Sequence, residues 1–541
     1  MMDQTENIYK IGIQESMSLV DEQILNFDKV EKQETKSLIN QQNENFDETN
    51  KQEKKDFEKL DVDGILFLIG EFGRSQILLM IMLSLLMIPT AYQSLSITFI
   101  GLNPPWRCTN NSKECNRQGE FSINDEFYKQ RCSMKRDSWT YVKEKDFSIV
   151  TEWDLVCDKV SLTYMANSAL QIGGGIGTII LGFMSDKYGR KKILYPTFVL
   201  FIVISFLIAF IQTFWIFFAL RIIIGILQGG IYLTLWVLMT ESVGLTYRSY
   251  SNVLWCAYTV GMCLMALQSW LVPKWRILLI LLSAPYLILV GTYSFMPESA
   301  RWLRVKNQIS LAEKVLKQIA KCNKKPWPNA CLSAISENSK QKKTSYIYVF
   351  YPLKVFLSTS MQFFLWFGNA VAYYGISLIS ENLSNNMYRD FVLISIVDIP
   401  SNFIVCWLCN RFGRKKTTIL TAVIGGALVI VLAFIPCRAD YYFVRVSVAM
   451  VAKFFVNLSY GGIYIWSTEL YPTSIRSQGI GVCTWAGVLG AASAPWVSQF
   501  LGYIHLTLPF CVMGSILFIS GICCCILPET NGISTVEVVE E

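Results

Sequence analysis

Three charged side chains stand inside long apolar runs, where charge is costly and usually functional: Arg221 in RIIIG, Asp398 before Ile399-Pro400, and Lys453 in MVAKFFV. Aromatic residues recur near them at helical spacing. Tyr232 and Trp236 are four apart and share one helix face. LWFGNAVAYYG (Leu365 to Gly375) supplies Trp366, Tyr373 and Tyr374, with Trp366 and Tyr373 one heptad apart. Such groups bind rather than react: ring faces and a carboxylate suit a flat or cationic organic solute through stacking and cation–π attraction. The plainer reading is that aromatics in apolar helices pack or anchor, and that Arg221 and Asp398 are paired for structure. Bond-making chemistry has few residues to work with. The one histidine, His505, lies at the end of an apolar run, and no Walker loop or metal triad is present. Gly173-Gly174-Gly175-Ile176-Gly177 lacks the Gly-Lys-Ser/Thr ending of a phosphate loop and reads as close helix packing. Neither enzymatic activity nor a metal or cofactor is expected.

A second set of charges sits at the ends of apolar runs, twice over. GFMSDKYGRKK (Gly182 to Lys192) returns as WLCNRFGRKK (Trp407 to Lys416), and TESVGLTYRS (Thr240 to Ser249) as TELYPTSIRS (Thr468 to Ser477). Pro297-Glu298-Ser299 returns as Pro528-Glu529-Thr530, and the repeat offsets are 224, 228 and 231 residues. A duplicated pair of helical bundles, related by an axis normal to a membrane, is the direct reading. Asp186, Arg190, Glu241, Arg248, Glu298 and Arg301 in the first half, and Arg414, Glu469, Arg476 and Glu529 in the second, form a candidate conformational latch. Its ion pairs would form in one orientation of the halves and separate in the other, with Gly189 and Gly413 permitting tight turns. The alternative is that the basic residues only anchor loops. Asn410 replaces the acid that Asp186 supplies, so the second half departs from the pattern.

The elements that must hold these residues are membrane helices. Of the 541 residues 52% are hydrophobic and 16% charged, against about a quarter charged in soluble domains. Twelve runs reach the roughly 20 residues a span requires: near 76–100, 160–184, 193–211, 213–240, 251–272, 276–296, 350–379, 387–409, 417–436, 442–466, 478–503 and 505–527. Residues 1–59 carry eight lysines against fourteen acids and are read as a disordered cytosolic tail with no cleavable signal. The expected organisation is a first bundle at 60–296, a basic cytosolic linker at 297–349, a second bundle at 350–530 and a cytosolic tail at 531–541. Eleven basic residues between Glu298 and Lys343 place the linker inside by the positive-inside rule. An even number of spans then leaves both termini in the cytosol, and the net charge of +7 implies no nucleic-acid partner. The loop 101–159 would face outward. It holds Cys108, Cys115, Cys132 and Cys157 and the sequon at Asn110. Two disulfides are expected, in any of three pairings, with zinc binding the competing reading. A second outward sequon is at Asn382, whereas Asn457-Leu458-Ser459 falls inside a span.

With these motifs in view, the chain resembles the major facilitator superfamily, and within it the organic cation, anion and zwitterion transporters of animals. DVDGILFLIGEFGRSQ (Asp61 to Gln76), the cysteine-bearing loop, TEWDLVC (Thr151 to Cys157), PESARWL (Pro297 to Leu303) and TELYPTSIR (Thr468 to Arg476) carry the likeness over residues 60–530. The resemblance implies an all-α membrane protein with twelve transmembrane helices in two six-helix bundles and an extracellular disulfide-bearing loop. It implies a monomeric secondary transporter in the lipid bilayer of the plasma membrane, with a small organic solute and a proton or sodium as candidate coupling ion. It also implies that Tyr232, Trp236, Trp366 and Tyr373 line a substrate cavity, and that Asp398 matches an acidic position used for substrate or coupling. The family's diagnostic charge twelve residues after Arg476 is here Val488, and the lysine of many anion carriers is here Asn402. Asp398 without those partners favours cations or zwitterions, and Lys453 argues the other way. A sugar porter is the nearest rival, although the paired glutamines of its seventh helix are missing and only Gln362 is near. A nontransporting receptor on the same fold is the third reading.

Overall fold

In hydrocarbon a chain must satisfy its own backbone donors and acceptors, so apolar runs of this length fold as helices. Among its described residues the computed structural model contains 12 helices long and apolar enough to cross a membrane. It describes residues 58–109, 114–115, 118–122, 125, 127–328, 330–332, 353–383, 386–436, 438–471 and 476–530.

The first half opens with the short α1 (Val62–Ile69) and continues through α2 (Arg74–Leu95), α3 (Val160–Tyr188), α4 (Arg190–Leu207), α5 (Phe214–Ser242) and α6 (Leu254–Leu271). Its last span, α7 (Trp275–Leu281), runs on as a 3-10 helix, Ala284–Ser294. Next come α8 (Ala300–Val305) and α9 (Ile309–Asn323). The second half comprises α10 (Leu353–Leu378), α11 (Met387–Ile396), α12 (Asp398–Phe412), α13 (Arg414–Phe434), α14 (Tyr442–Leu470), α15 (Arg476–Pro495) and α16 (Leu508–Cys523). The eighth span is thus broken between α11 and α12. Pro400 explains the break: it has no N–H to offer the carbonyl of Ile396.

Small residues set the closest approaches. Gly173 and Gly177 of α3 lie against the backbone of α5, and Gly225 and Gly229 of α5 lie against α3, so a methyl at any of them would collide with a carbonyl. The glycine run therefore packs helices, as its missing lysine suggested. The halves meet along α3 and α15, where Ser168 donates to the Ala492 carbonyl at 2.5 Å and Trp496 donates to Ser168 at 3.0 Å. They also meet where α6 approaches the broken span, with Asn252 against Cys406 and Asn402 against Cys256.

The stretch expected to be a linker begins as structure. Ala312, Leu316, Ile319 and Ala320 of α9 are buried, and Asn323 accepts the Ser75 N–H at 2.9 Å and donates to the Ile69 carbonyl at 3.2 Å. Between α2 and α3 the four cysteines pair as Cys108–Cys115 and Cys132–Cys157. That resolves the three open pairings and removes the zinc reading. Two short strands, Trp106–Cys108 and Trp139–Tyr141, pair antiparallel in this segment. Residues 58–61, 328 and 330–332 belong to a separate unit. Its described part is a parallel pair, Glu58–Leu60 with Ala330–Leu332, so Glu58 and Lys59 form a strand although the sequence placed them in the polar tail. The remainder of that tail and residues 531–541 lie outside the described residues.

Candidate functional site

The break in the eighth span puts Asp398 in the first turn of α12, where a helix N-terminus favours a carboxylate. Asp398 is 1% exposed. The Tyr373 hydroxyl donates to its Oδ2 at 2.8 Å, and its Oδ1 has no partner among the described residues. Lys453 is fully buried and donates at 2.7 Å to both the Tyr373 carbonyl and Ser377 Oγ. Its ammonium also lies 3.2 Å from the centre of the Tyr373 ring. Tyr373 therefore stands between a buried acid and a buried base that do not pair directly. Asn457, one turn beyond Lys453 on α14, donates to the Asp398 carbonyl at 3.4 Å and Asn402 Oδ1 at 3.3 Å, and also to Ser401.

Around this core the aromatics of both halves converge. Trp366 packs on Tyr464 with centroids 4.4 Å apart, and its indole N–H donates to Ser467 Oγ at 2.9 Å. Tyr373 contacts Tyr374 and Tyr460. In the first half Tyr232 packs on Trp255 and Tyr258, while Gln228 donates to the Tyr232 hydroxyl at 2.8 Å. Trp236 and Trp255 reach Tyr464 across the boundary at 6.4 and 6.5 Å. Tyr374 packs against the cores of both halves.

Of the residues singled out from sequence, Tyr232, Trp236, Trp366, Tyr373, Tyr374, Asp398 and Lys453 share this region. Val488 does not: it packs against Gly175 between α15 and α3. Arg221 donates to the Gln93 carbonyl, Ser96 Oγ and the Ala166 carbonyl, tying three spans together. Sequence reasoning missed Trp255, Tyr258, Asn457, Tyr460 and Tyr464. The signal was present in α14, where Lys453, Asn457, Tyr460 and Tyr464 recur at spacings of four, three and four, one helix stripe.

The charged motifs form two matching clusters, one in each half. Arg190 makes a forked contact to Glu241 at 2.9 and 3.3 Å and also pairs with Asp186. Glu298 accepts the N–H groups of Arg190 at 3.0 Å and Lys191 at 3.2 Å, capping α4. In the second half Arg414 pairs with Glu469 at 3.0 Å, and Glu529 accepts the N–H groups of Arg414 at 2.8 Å and Lys415 at 3.4 Å. Where Asp186 has no counterpart, Arg414 donates to the Cys409 carbonyl at 3.2 Å. Gly189 and Gly413 turn at φ +118° and +96°, and a Cβ on Gly189 would sit 2.7 Å from Glu298 Oε2. Each of these ion pairs joins residues of the same half. Arg301 and Arg248 both turn to Asp63 of α1, at 2.6 and 3.6 Å, an acid that was not among the latch candidates. Arg476 opens α15, with its side chain outside the described residues.

Residues 118–541 match the family model described as Sugar (and other) transporter. The chain belongs to that family. It is a multi-pass membrane transporter of the major facilitator type, and it is similar to the organic cation and carnitine transporters. The Drosophila melanogaster organic cation transporter protein is 29% identical over 88% of this chain and 94% of its own. The human organic cation/carnitine transporter 2 is 27% identical over 89% and 94%. In fold the transporter matches the inward-open xylose transporter XylE from E. coli, with a TM-score of 0.57 at 15% identity over 85% of this chain and 98% of that one. The proton:xylose symporter XylE bound to 6-bromo-6-deoxy-D-glucose gives 0.59 at 16% identity over the same shares.

Proposed function

We propose that this transporter carries small organic cations or zwitterions through the aromatic chamber between its halves by alternating access, in the plasma membrane. One observation supports the reading above the others: among the described residues Asp398 keeps a carboxylate oxygen without a partner, amid rings from both halves, while the Lys453 ammonium is taken up by Tyr373 and Ser377. A solute cation can take that oxygen and stack on Trp366, Tyr374 or Tyr464. Relatives named as organic cation and carnitine transporters support the same class. In this reading Tyr232, Trp236, Trp366, Tyr373, Tyr374 and Asp398 contact solute. Lys453 positions Tyr373, and Val488 lies outside the chamber, against Gly175. The clusters around Arg190 and Arg414 then act as clamps that keep each half rigid while the halves rock.

The basic stretch 298–343 and both termini lie in the cytosol, and residues 101–159 with their disulfides lie outside. Asn110 falls outside the described residues, and Asn382 lies in the 3-10 turn Ile379–Asn382. Glycosylation at both follows from that topology, and an endoglycosidase mobility shift would test it. The transport reading is tested in proteoliposomes with labelled tetraethylammonium, carnitine, glutarate and glucose, each with and without a proton or sodium gradient. Saturable uptake of tetraethylammonium or carnitine, lost in Asp398→Asn, is expected. Uptake of glucose or glutarate alone would overturn it, and binding of all four without uptake would favour a receptor.

A further inference from the structure

At the end of the bundle that carries the disulfides, a cavity of about 610 Å³ lies between the 101–159 segment and the second half. This is within the roughly 300–1,000 Å³ that holds small organic ligands. Arg131 lines it at 6% exposure, stacked 4.1 Å from the centre of the Tyr128 ring and 5.5 Å from that of Trp139. Among the described residues its Nε and Nη1 find no acceptor, and no carboxylate forms an ion pair with it. A guanidinium cannot shed its proton, so the charge stands uncompensated in a poorly solvated place.

The opposite wall adds Arg445 at 3% exposure, which donates to the Ile435 carbonyl at 2.6 Å and lies 5.8 Å from the Phe510 ring. Lys129 reaches the Tyr503 carbonyl from the first-half side. Against these cations the described lining offers one carboxylate, Asp125, which accepts the Ser122 N–H. The Cys132–Cys157 disulfide borders the cavity and ties the turn bearing Arg131 to the start of α3.

We propose that this cavity is a second solute site, for small organic carboxylates, separate from the central aromatic chamber. Arg131 supplies the charge that an acid would neutralise through strong charge-assisted hydrogen bonds. Tyr128 and Phe510 offer apolar faces to the body of the acid. Because Arg131 belongs to the first half and Arg445 to the second, an occupant touches both.

Equilibrium dialysis of labelled benzoate against the purified full-length transporter tests the proposal, with the neutral isostere benzamide as control. Benzoate should bind at least about tenfold more tightly than benzamide, and Arg131→Gln and Arg445→Gln should each weaken benzoate by about tenfold or more. Arg131→Lys should bind benzoate more tightly than Arg131→Gln, and saturating tetraethylammonium, a probe of the central chamber, should leave benzoate binding unchanged. Equal binding of benzoate and benzamide, full affinity in both glutamine variants, or displacement of benzoate by tetraethylammonium would overturn the proposal. Should Arg131→Gln aggregate on size exclusion, Arg445→Gln on the other wall decides it.

Discussion

Replacing Lys453 by methionine removes one of the two buried charges that flank Tyr373 while keeping the length and apolar body of the side chain. The ammonium lies 3.2 Å from the centre of the Tyr373 ring, and the ring hydroxyl lies 2.8 Å from Asp398 Oδ2. That geometry puts the charges roughly 4–7 Å apart, an attraction of about 2–4 kcal/mol at an effective dielectric near ~20. The acceptors Lys453 leaves behind are not stranded, because Ser377 Oγ still donates to the Tyr373 carbonyl at 3.0 Å. The cost therefore falls on Asp398, left charged and buried, and Lys453→Met should destabilise by about 3–5 kcal/mol. Asp398→Asn should strand the lysine and cost a similar amount. The double variant removes both charges and should return to within about 1 kcal/mol of the parent. Melting of the detergent-solubilised transporter, followed by tryptophan fluorescence, ranks the four proteins, and solute uptake should be lost in the double variant despite its recovered stability. If the double variant melts as low as the two losses added together, the charges do not compensate each other and the reasoning fails.

Three further outcomes follow from named contacts. Gly189→Ala forces a side chain into a φ of +118° beside Glu298, a strain of about 1–3 kcal/mol; thermal melting should show the loss, with Gly413→Ala behaving alike. Glu241→Arg should abolish uptake by setting two guanidinium groups together, and the exchange with Arg190→Glu should restore folding and part of the uptake; restoration by Arg248→Glu instead would mean the forked pair is misassigned. Asp146 is held below its ordinary carboxylate value of 3.8 chiefly by the hydrogen bond from Lys274, and by its charge. A lowered folded-state value means the contribution is present above about pH 4 and fades as pH falls through the folded value. Asp146→Asn should therefore melt slightly lower than the parent at pH 6, by well under 1 kcal/mol for so exposed a pair, and equally at the acid end of a pH series.

Twelve spans, a duplicated architecture and the cysteine-rich segment were legible from the chain alone, because each rests on local rules. Lipid excludes unpaired backbone, so apolar length counts helices, and Gly189 and Gly413 within repeated basic motifs mark where one span stops and the next begins. The buried charges Asp398 and Lys453 stood out for the same reason. What the chain could not state was which side chains face each other across distances of tens to hundreds of residues. Disulfide pairing among Cys108, Cys115, Cys132 and Cys157 needed the fold of the segment, since sequence separation does not fix which sulfurs meet. Tyr460, Tyr464, Trp255 and Tyr258 look like ordinary packing residues until α14 and α6 are placed beside the broken eighth span. Arg248 found Asp63 and Val488 found Gly175, because helix packing sets partners through three-dimensional rotation and register, quantities that spacing along one helix does not contain.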